Sequence, residues 1–309
     1  MDKKGLLSIV VPVFNEEGLI HESVKRLSLT AAGTGFPYEL IFVNDGSSDK
    51  TLEILLKCKE ENPRIKIISF SRNFGHQMAI TAGMDNAQGE AIVIIDADLQ
   101  DPPEVIPELI KKWQEGFEVV HARRKRRFGE KLFKTWTAKI FYRLMALLSN
   151  VEIPVDVGDF RLIDRKVLEA LRTLREKHRY VRGLVAWLGF KQGFVEYVRD
   201  KRYAGETKYS LFKMIRFSLD GISSFSILPL RLATVMGFLS AAFSFLYIFY
   251  ALYAKYVLKD VVAGWTSVVI AVFFLGGIQL ICMGIMGEYI GMLHDEVKPR
   301  PLYVIQEIY

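Results

Sequence analysis

Two stretches near the C-terminal end constrain this chain more than any other feature. No charged residue interrupts residues 232–254 or 261–287. As a helix the shorter run would measure ~35 Å, enough to cross a hydrocarbon core of ~30 Å. A buried core helix is the alternative, but two long uncharged runs in succession are rare in a soluble fold, so the pattern predicts two transmembrane helices. The link from Lys255 to Asp260 is short, which makes them a tight hairpin with both ends on one side. No apolar leader follows Met1, so the preceding part is expected to carry no export signal and to stay cytoplasmic. The expectation is a multi-pass protein of the inner (cytoplasmic) membrane, its large domain facing the cytoplasm.

The net charge of +6 and the basic clusters Arg123-Arg124-Lys125-Arg126-Arg127 and Lys201-Arg202 fit that placement, beside an anionic leaflet. The same run adjoins no DNA- or RNA-binding motif, so no nucleic-acid partner is expected. Cys58 falls in a cytoplasmic helix and Cys282 inside the membrane; they cannot pair and read as small apolar residues.

Ahead of the hairpin, apolar runs of strand length cover 7–13, 38–43, 65–70, 91–95 and 118–122. Between them, 16–29, 51–60, 77–86 and 103–115 read as helices, the second capped by Ser48 or Asp49. Repeated strand-helix units predict an α/β fold, a mostly parallel sheet covered on both faces, which is why its strands are apolar throughout. Beyond Arg127 the pattern changes. Phe133, Trp136, Ile140, Phe141, Leu144 and Leu148 recur at helical spacing, as either a core-facing stripe or a helix lying on the bilayer. Residues 211–225, just before the first span, read as a second interfacial helix. The expected organisation is a cytoplasmic domain at 1–210, a juxtamembrane amphipathic helix at 211–230, two transmembrane helices within 231–292 and a cytoplasmic tail at 293–309.

Open sheets of this kind bind ligands outside the carboxyl ends of their strands. Asn15-Glu16, Asn44-Asp45 and the stretch from Asp96 to Gln100 each follow a strand and should meet in one crevice. If the chain stays extended past residue 95, Asp96, Asp98 and Gln100 point the same way, neighbours ~7 Å apart. Such a cluster repels itself unless a cation, an arginine or open water neutralises it. The first strand leads into Pro12-Val13-Phe14-Asn15-Glu16-Glu17-Gly18, so the Gly-x-Gly-x-x-Gly fingerprint is absent, and no Gly-x-x-x-x-Gly-Lys-Ser/Thr occurs anywhere. Carboxylates in place of a glycine cradle point to a hard divalent cation bridging a diphosphate. His76 has no second His or Cys at zinc spacing and reads as a helix-start or pocket-wall residue.

Taken together, Ser8-Ile9-Val10-Val11-Pro12-Val13-Phe14-Asn15-Glu16, the turn Val43-Asn44-Asp45-Gly46-Ser47-Ser48-Asp49, Asp96-Ala97-Asp98 and the hairpin resemble a family 2 glycosyltransferase of GT-A fold. Within that group the chain is most similar to polyprenyl-phosphate glycosyltransferases, the bactoprenol glucosyltransferases and dolichol-phosphate mannose synthases. The resemblance extends from Ser8 through Arg300-Pro301-Leu302-Tyr303. It implies a GT-A (nucleotide-diphospho-sugar transferase) domain that moves a sugar, glucose as the best match, from a UDP-sugar donor to a membrane polyprenyl (undecaprenyl) phosphate with inversion.

Residue by residue, the resemblance implies that Asp45 holds the base or ribose, with Pro12, Asn15 and Glu16 in the same pocket. Asp96 would lie near the ribose and diphosphate, and Asp98 and Gln100 would bind Mg²⁺ or Mn²⁺. Arg123 would stabilise the departing diphosphate. Asp159, in Val157-Gly158-Asp159-Phe160-Arg161-Leu162, matches the position of the family's catalytic base. A phosphate monoester has its second pKa near ~6 and is mostly dianionic at neutral pH, which leaves open whether Asp159 deprotonates the acceptor or positions it. Arg202 and Lys208 sit in a segment similar to the family's phosphate-binding loop, with Thr207 where Ser is usual, and would hold the acceptor phosphate. Gly276, Gly277, Gly284, Gly287 and Gly291 leave a smooth helix face, suited either to a homo-oligomer through the membrane or to packing within the hairpin. A processive polysaccharide synthase would need more spans and a Gln-x-x-Arg-Trp motif, which is absent. A noncatalytic membrane scaffold has no use for Asp45, Asp96, Asp98, Gln100 and Asp159 together.

Overall fold

The computed structural model describes residues 5–125, 154, 157–198, 228–253, 256–257 and 264–309. The chain divides into two compact units, Met1–Met214 with Arg300–Tyr309, and Ile215–Pro299. In the first, β1 (Leu7–Val13), α1 (Ile20–Gly33), β2 (Tyr38–Asn44), α2 (Thr51–Glu61), β3 (Ile65–Phe70), α3 (His76–Asn86) and β4 (Ala91–Ile94) follow in order. A 3-10 turn at Pro103–Val105 leads to α4 (Ile106–Gln114), β5 (Val119–Arg124), β6 (Val157–Asp164), α5 (Arg165–Thr173), α6 (Val181–Trp187) and β7 (Gln192–Tyr197). The second unit holds α7 (Leu228–Tyr253) and α8 (Trp265–Val297); a final strand, β8 (Ile305–Ile308), returns to the first.

Among the described residues the strands form one eight-stranded sheet in the order β7-β5-β6-β4-β1-β2-β3-β8. β1 pairs in parallel with β2 and β4, β2 with β3, and β5 with β7, while β6 and β8 run antiparallel to their neighbours. The expected mostly parallel α/β sheet is therefore present. Every residue of β1 is buried. Leu7, Ile9 and Val11 join a core with Ile20 and Leu27 of α1, Leu55 of α2 and Leu109 of α4. Each such side chain contributes roughly 1.5–3 kcal/mol on burial. On the opposite face α3 lies so close that a Cβ on Gly83 would stand 2.2 Å from Val10 Cγ1. Any larger residue there would push α3, and His76 at its start, away from the sheet.

Four expectations need correction. The strand at 91–95 stops at Ile94 and the chain turns, so the run to Gln100 is not extended. Ala97 and Leu99 tuck inward, each 3% exposed, and Leu99 adopts φ 55, a left-handed backbone that a branched side chain rarely takes. Helix α1 starts at Ile20 instead of 16, because the intervening loop is tied to the β2 to α2 turn. The strand at 118–122 runs on to Arg124, which places Arg123 and Arg124 within β5. Lastly, 293–309 is not a separate tail. Helix α8 continues to Val297, and β8 pairs with β3, whose outer edge would otherwise present unpaired backbone groups.

Within the second unit the helices span Leu228–Tyr253 and Trp265–Val297, against expected spans of 232–254 and 261–287. The Cys282 Sγ approaches Ala233 O at 3.5 Å. By length and composition Ala271–Val297 can cross a membrane, whereas the apolar part of α7, Leu232–Tyr247, is shorter. A Cβ at Gly276, Gly277, Gly284, Gly287 or Gly291 would meet nothing within 4 Å. Among the described residues these glycines do not serve packing within the hairpin. The expected helices at 131–148 and 211–225, together with Arg126, Arg127, Arg202 and Lys208, lie outside the described residues.

Candidate active site

Loops at the carboxyl ends of β1 and β2 are laced together by short polar side chains. Asn15, at φ 52, accepts a hydrogen bond at Oδ1 from the Ser48 N–H (2.8 Å) and donates its own N–H to Ser47 Oγ (3.0 Å). The Glu16 N–H donates to Thr51 Oγ1 (2.9 Å), and Asp49 Oδ1 accepts from the Thr51 N–H (3.0 Å) just ahead of α2, whose N-cap is Lys50. Pro12 is buried in register with Val43 and shapes this edge from within the sheet.

Asp45 is 3% exposed, and its carboxylate accepts from the Phe74 N–H (2.7 Å) and the Gly75 N–H (3.0 Å). Burial pushes its pKa up, against the opposing pull of those N–H groups, His76 and Arg72. Its backbone neighbour Gly46 has φ 66, and a Cβ there would lie 2.4 Å from the Arg72 carbonyl carbon, so the turn admits only glycine. Asp45 thus anchors the 71–76 loop, and a nucleotide at this position would share a carboxylate already engaged.

The turn after β4 presents Asp96, Asp98 and Gln100, each partly exposed. Asp98 Oδ1 accepts from the Gln100 N–H (3.1 Å), which closes the turn around Leu99. Asp96 Oδ1 is buried without a hydrogen-bond partner, although His76 Nε2 stands 3.4 Å away. Burial raises the Asp96 pKa to about 6; His76 opposes the rise, while Asp159, Asp98 and Asp101 add to it. Asp101 has a different task. It is fully buried, takes the Tyr197 hydroxyl and Arg124 Nη2 (3.3 Å), and braces the turn against β7 and β5.

Because β6 runs antiparallel to β4, its first residues border the end of β4, and Arg161 pairs with Ile94. Asp159 and Arg161 alternate onto the face that carries α3. There Asp159, 6% exposed, meets Arg161 Nη2 (3.0 Å), Arg182 Nε and Nη2 (2.9 and 3.0 Å) and His76 Nε2 (3.5 Å). Burial alone would raise its pKa, but His76, Arg182 and Arg161 prevail and hold it well below the usual carboxylate range. Such a carboxylate is a poor proton acceptor. His76 responds in the opposite sense: burial works to lower its pKa, yet Asp159 and Asp96 raise it and favour imidazolium.

His121 pairs with Arg161 across β5 and β6, and after a register shift Arg123 pairs with Val157, two residues before Asp159. The Arg123 guanidinium lies 3.8 Å from the centre of the Phe194 ring, its Nε buried without a hydrogen-bond partner.

His76 therefore joins two expected residues, Asp96 and Asp159, and its charge also acts on Asp45. His76 is both the helix-start and the pocket-wall residue the sequence suggests, and a neighbouring arginine, Arg161, pairs with Asp159; Arg182 as a second partner is not foreseen from the sequence. The proximity of Arg161 to Asp159 in a strand, two residues apart, was a usable signal; Arg182, from another element, offered none. Among the described residues no group of three or more His, Cys, Asp or Glu is arranged to hold a metal ion. A Mg²⁺ site built from one or two carboxylates and substrate phosphates does not require one.

Residues 8–172 match glycosyl transferase family 2, and residues 228–293 match the GtrB C-terminal hairpin. The "Uncharacterized glycosyltransferase YkcC" of Bacillus subtilis is 56% identical over 98% of this chain and 94% of its own. A "Prophage bactoprenol glucosyl transferase homolog" of Escherichia coli is 42% identical over 98% of this chain and 99% of its own. The glucosyl-3-phosphoglycerate synthase of Mycobacterium tuberculosis superposes with a TM-score of 0.48 at 20% identity, covering 72% of this chain and 79% of that one. The chain belongs to glycosyl transferase family 2.

Proposed function

We propose that the protein transfers glucose from UDP-glucose to a polyprenyl phosphate such as undecaprenyl phosphate, with inversion. The observation that carries this reading is the similarity over nearly the whole chain, hairpin included, to proteins named bactoprenol glucosyl transferase. The acceptor would be met at the membrane, with the catalytic unit on the cytoplasmic side. Two crossings by α7 and α8 suit the topology better than one, since β3 before the hairpin and β8 after it belong to the same sheet. The open glycine face of α8 suits a homo-oligomer within the bilayer.

Asp98 and Gln100 offer the hard oxygen donors that Mg²⁺ or Mn²⁺ prefers, and beside them Asp96 Oδ1 makes no hydrogen bond and faces three further acids against the one His76 imidazole. When bound, the cation would supply charge neutralisation to the leaving diphosphate. Pro12, Asn15, Glu16, Asp45 and Asp96 would form the donor pocket. Arg123 would face the phosphates, and Arg202 and Lys208 would hold the acceptor. The acceptor phosphate oxygen forms its bond to the anomeric carbon as the bond to UDP breaks. That oxygen is mostly deprotonated already. Asp159, gripped by two arginines, orients the acceptor side of the crevice and keeps the proton inventory unchanged.

The experiment is to incubate purified full-length protein with labelled UDP-glucose, Mg²⁺ and undecaprenyl phosphate. A chloroform-soluble labelled product is expected. A long water-insoluble polymer, or no product from any donor, would overturn the proposal.

A further inference from the structure

The chain that leaves α8 comes back to the first unit and lies along the outer edge of β3. Tyr309 and Ile67 exchange backbone hydrogen bonds (2.9 and 3.1 Å), and the Ser71 N–H donates to the Val304 carbonyl (3.1 Å). Little apolar surface is hidden by this: three of the four β8 residues are exposed. Tyr309 packs against the core, and Tyr303 makes the side-chain contacts nearest the 71–76 loop. That ring stacks on Phe70 with centroids 5.2 Å apart and planes at 15°, and its hydroxyl donates to Asp85 Oδ2 (2.7 Å), which Arg175 Nη1 also reaches at 2.7 Å. Burial and the Asp85 carboxylate push the phenol pKa up, so the hydroxyl remains a donor. Phe70 in turn meets Phe74 edge-on at 5.6 Å. Phe74 and Gly75 give their N–H groups to Asp45, and the next residue is His76, between Asp96 and Asp159.

We propose that residues 303–309 form a strap holding the 71–76 loop in place, and that Tyr303 is a positioning residue for the nucleotide-sugar pocket. Tyr303 acts through Phe70 and Phe74 on the two N–H groups that orient Asp45. Removing an aromatic stack of this kind, together with the area it buries, is expected to change the loop's opening equilibrium about tenfold. The pocket assignment rests on the proposed donor; the strap itself does not.

The test compares wild type, Tyr303→Ala and Tyr303→Phe as full-length protein, by hydrogen exchange and by steady-state kinetics. Tyr303→Ala should speed amide exchange in 71–76 about tenfold while exchange in β1 and β4 is unchanged. It should raise KM for UDP-glucose about fivefold with KM for undecaprenyl phosphate within about twofold, and Tyr303→Phe, which keeps the stack, should recover most of both. Should Tyr303→Ala fail to fold, Tyr303→Leu, which removes the flat ring at similar volume, is held to the same criteria. Unchanged exchange in 71–76 overturns the strap. Raised exchange with an unchanged donor KM, or with both KM values raised alike, overturns the positioning role. A wild type that does not use UDP-glucose refutes the proposed donor, and the exchange result still decides the strap.

Discussion

Asp96 and Asp159 stand 3.4 and 3.5 Å from the same His76 nitrogen, yet their surroundings drive their carboxyls in opposite directions. Asp159 is buried, and Asp96 is partly exposed with one oxygen buried. Around Asp159, two arginines and the imidazole offset the cost of burial and keep the acid ionised. Around Asp96, three further acids reinforce the cost, one oxygen has no hydrogen bond, and the pKa climbs to about 6. The difference separates two uses of a carboxylate at one sheet edge. Asp159 has its cationic partners in place, whereas Asp96 has one imidazole against three further acids, the setting in which an added cation would be favoured.

The sharpest way to break this contrast is at Asp98. Asp98→Asn should lower transfer to lipid about 10³-fold with little change in Tm, as expected for a group that acts electrostatically on the leaving diphosphate. Equal loss of stability would move Asp98 to the structural side. Next in size is Asp159→Asn, which leaves Arg161, 1% exposed, without its charged partner. Removing one member of a buried pair costs roughly 3–5 kcal/mol. Chemical denaturation of the full-length protein should show that loss, and Arg161→Met in the same chain should restore part of it.

His121 sharpens the picture of the positively charged face. Burial, with Arg161 and Arg123 nearby, lowers its pKa to about 3, so it is neutral in the fold. Once the pH falls below the unfolded value of ~6.5, the unfolded chain binds a proton that the folded one refuses. Stability should then fall by ~1.4 kcal/mol per pH unit until about pH 3 is reached. Thermal unfolding of wild type and His121→Gln between pH 7 and pH 5, spanning about two units, should show a steeper decline for wild type. Smallest of all, Asn15→Ala removes the side-chain bond to the Ser48 N–H and should cost about 1 kcal/mol, with a modest rise in donor KM.

The buried strands were legible because both faces of the sheet are covered and apolar residues run without alternation; β1 and β3 have the expected bounds. The loop that matters most was less so. Asp96-Ala97-Asp98-Leu99-Gln100 alternates like a strand, and its alternating burial survives, but it is produced by a turn with a left-handed Leu99 instead of extended backbone. Strand β8 escaped notice for the opposite reason: its side chains are mostly exposed, so edge pairing left no apolar pattern to read. Among site residues, the acids following strand ends stood out as chemistry in unlikely places. The arginine and histidine partners of Asp159 did not, because Arg182 and His76 reach it from α6 and α3, and tertiary pairing of that kind has no local signature.

Calorimetric titration of UDP into the full-length protein, with Mn²⁺ and then with chelator, tests the central contrast most directly. The account predicts that removing the cation weakens binding about 100-fold in wild type and changes little in Asp98→Asn, while Asp159→Asn keeps the full cation dependence. Equal UDP affinity in wild type with and without the cation would contradict it.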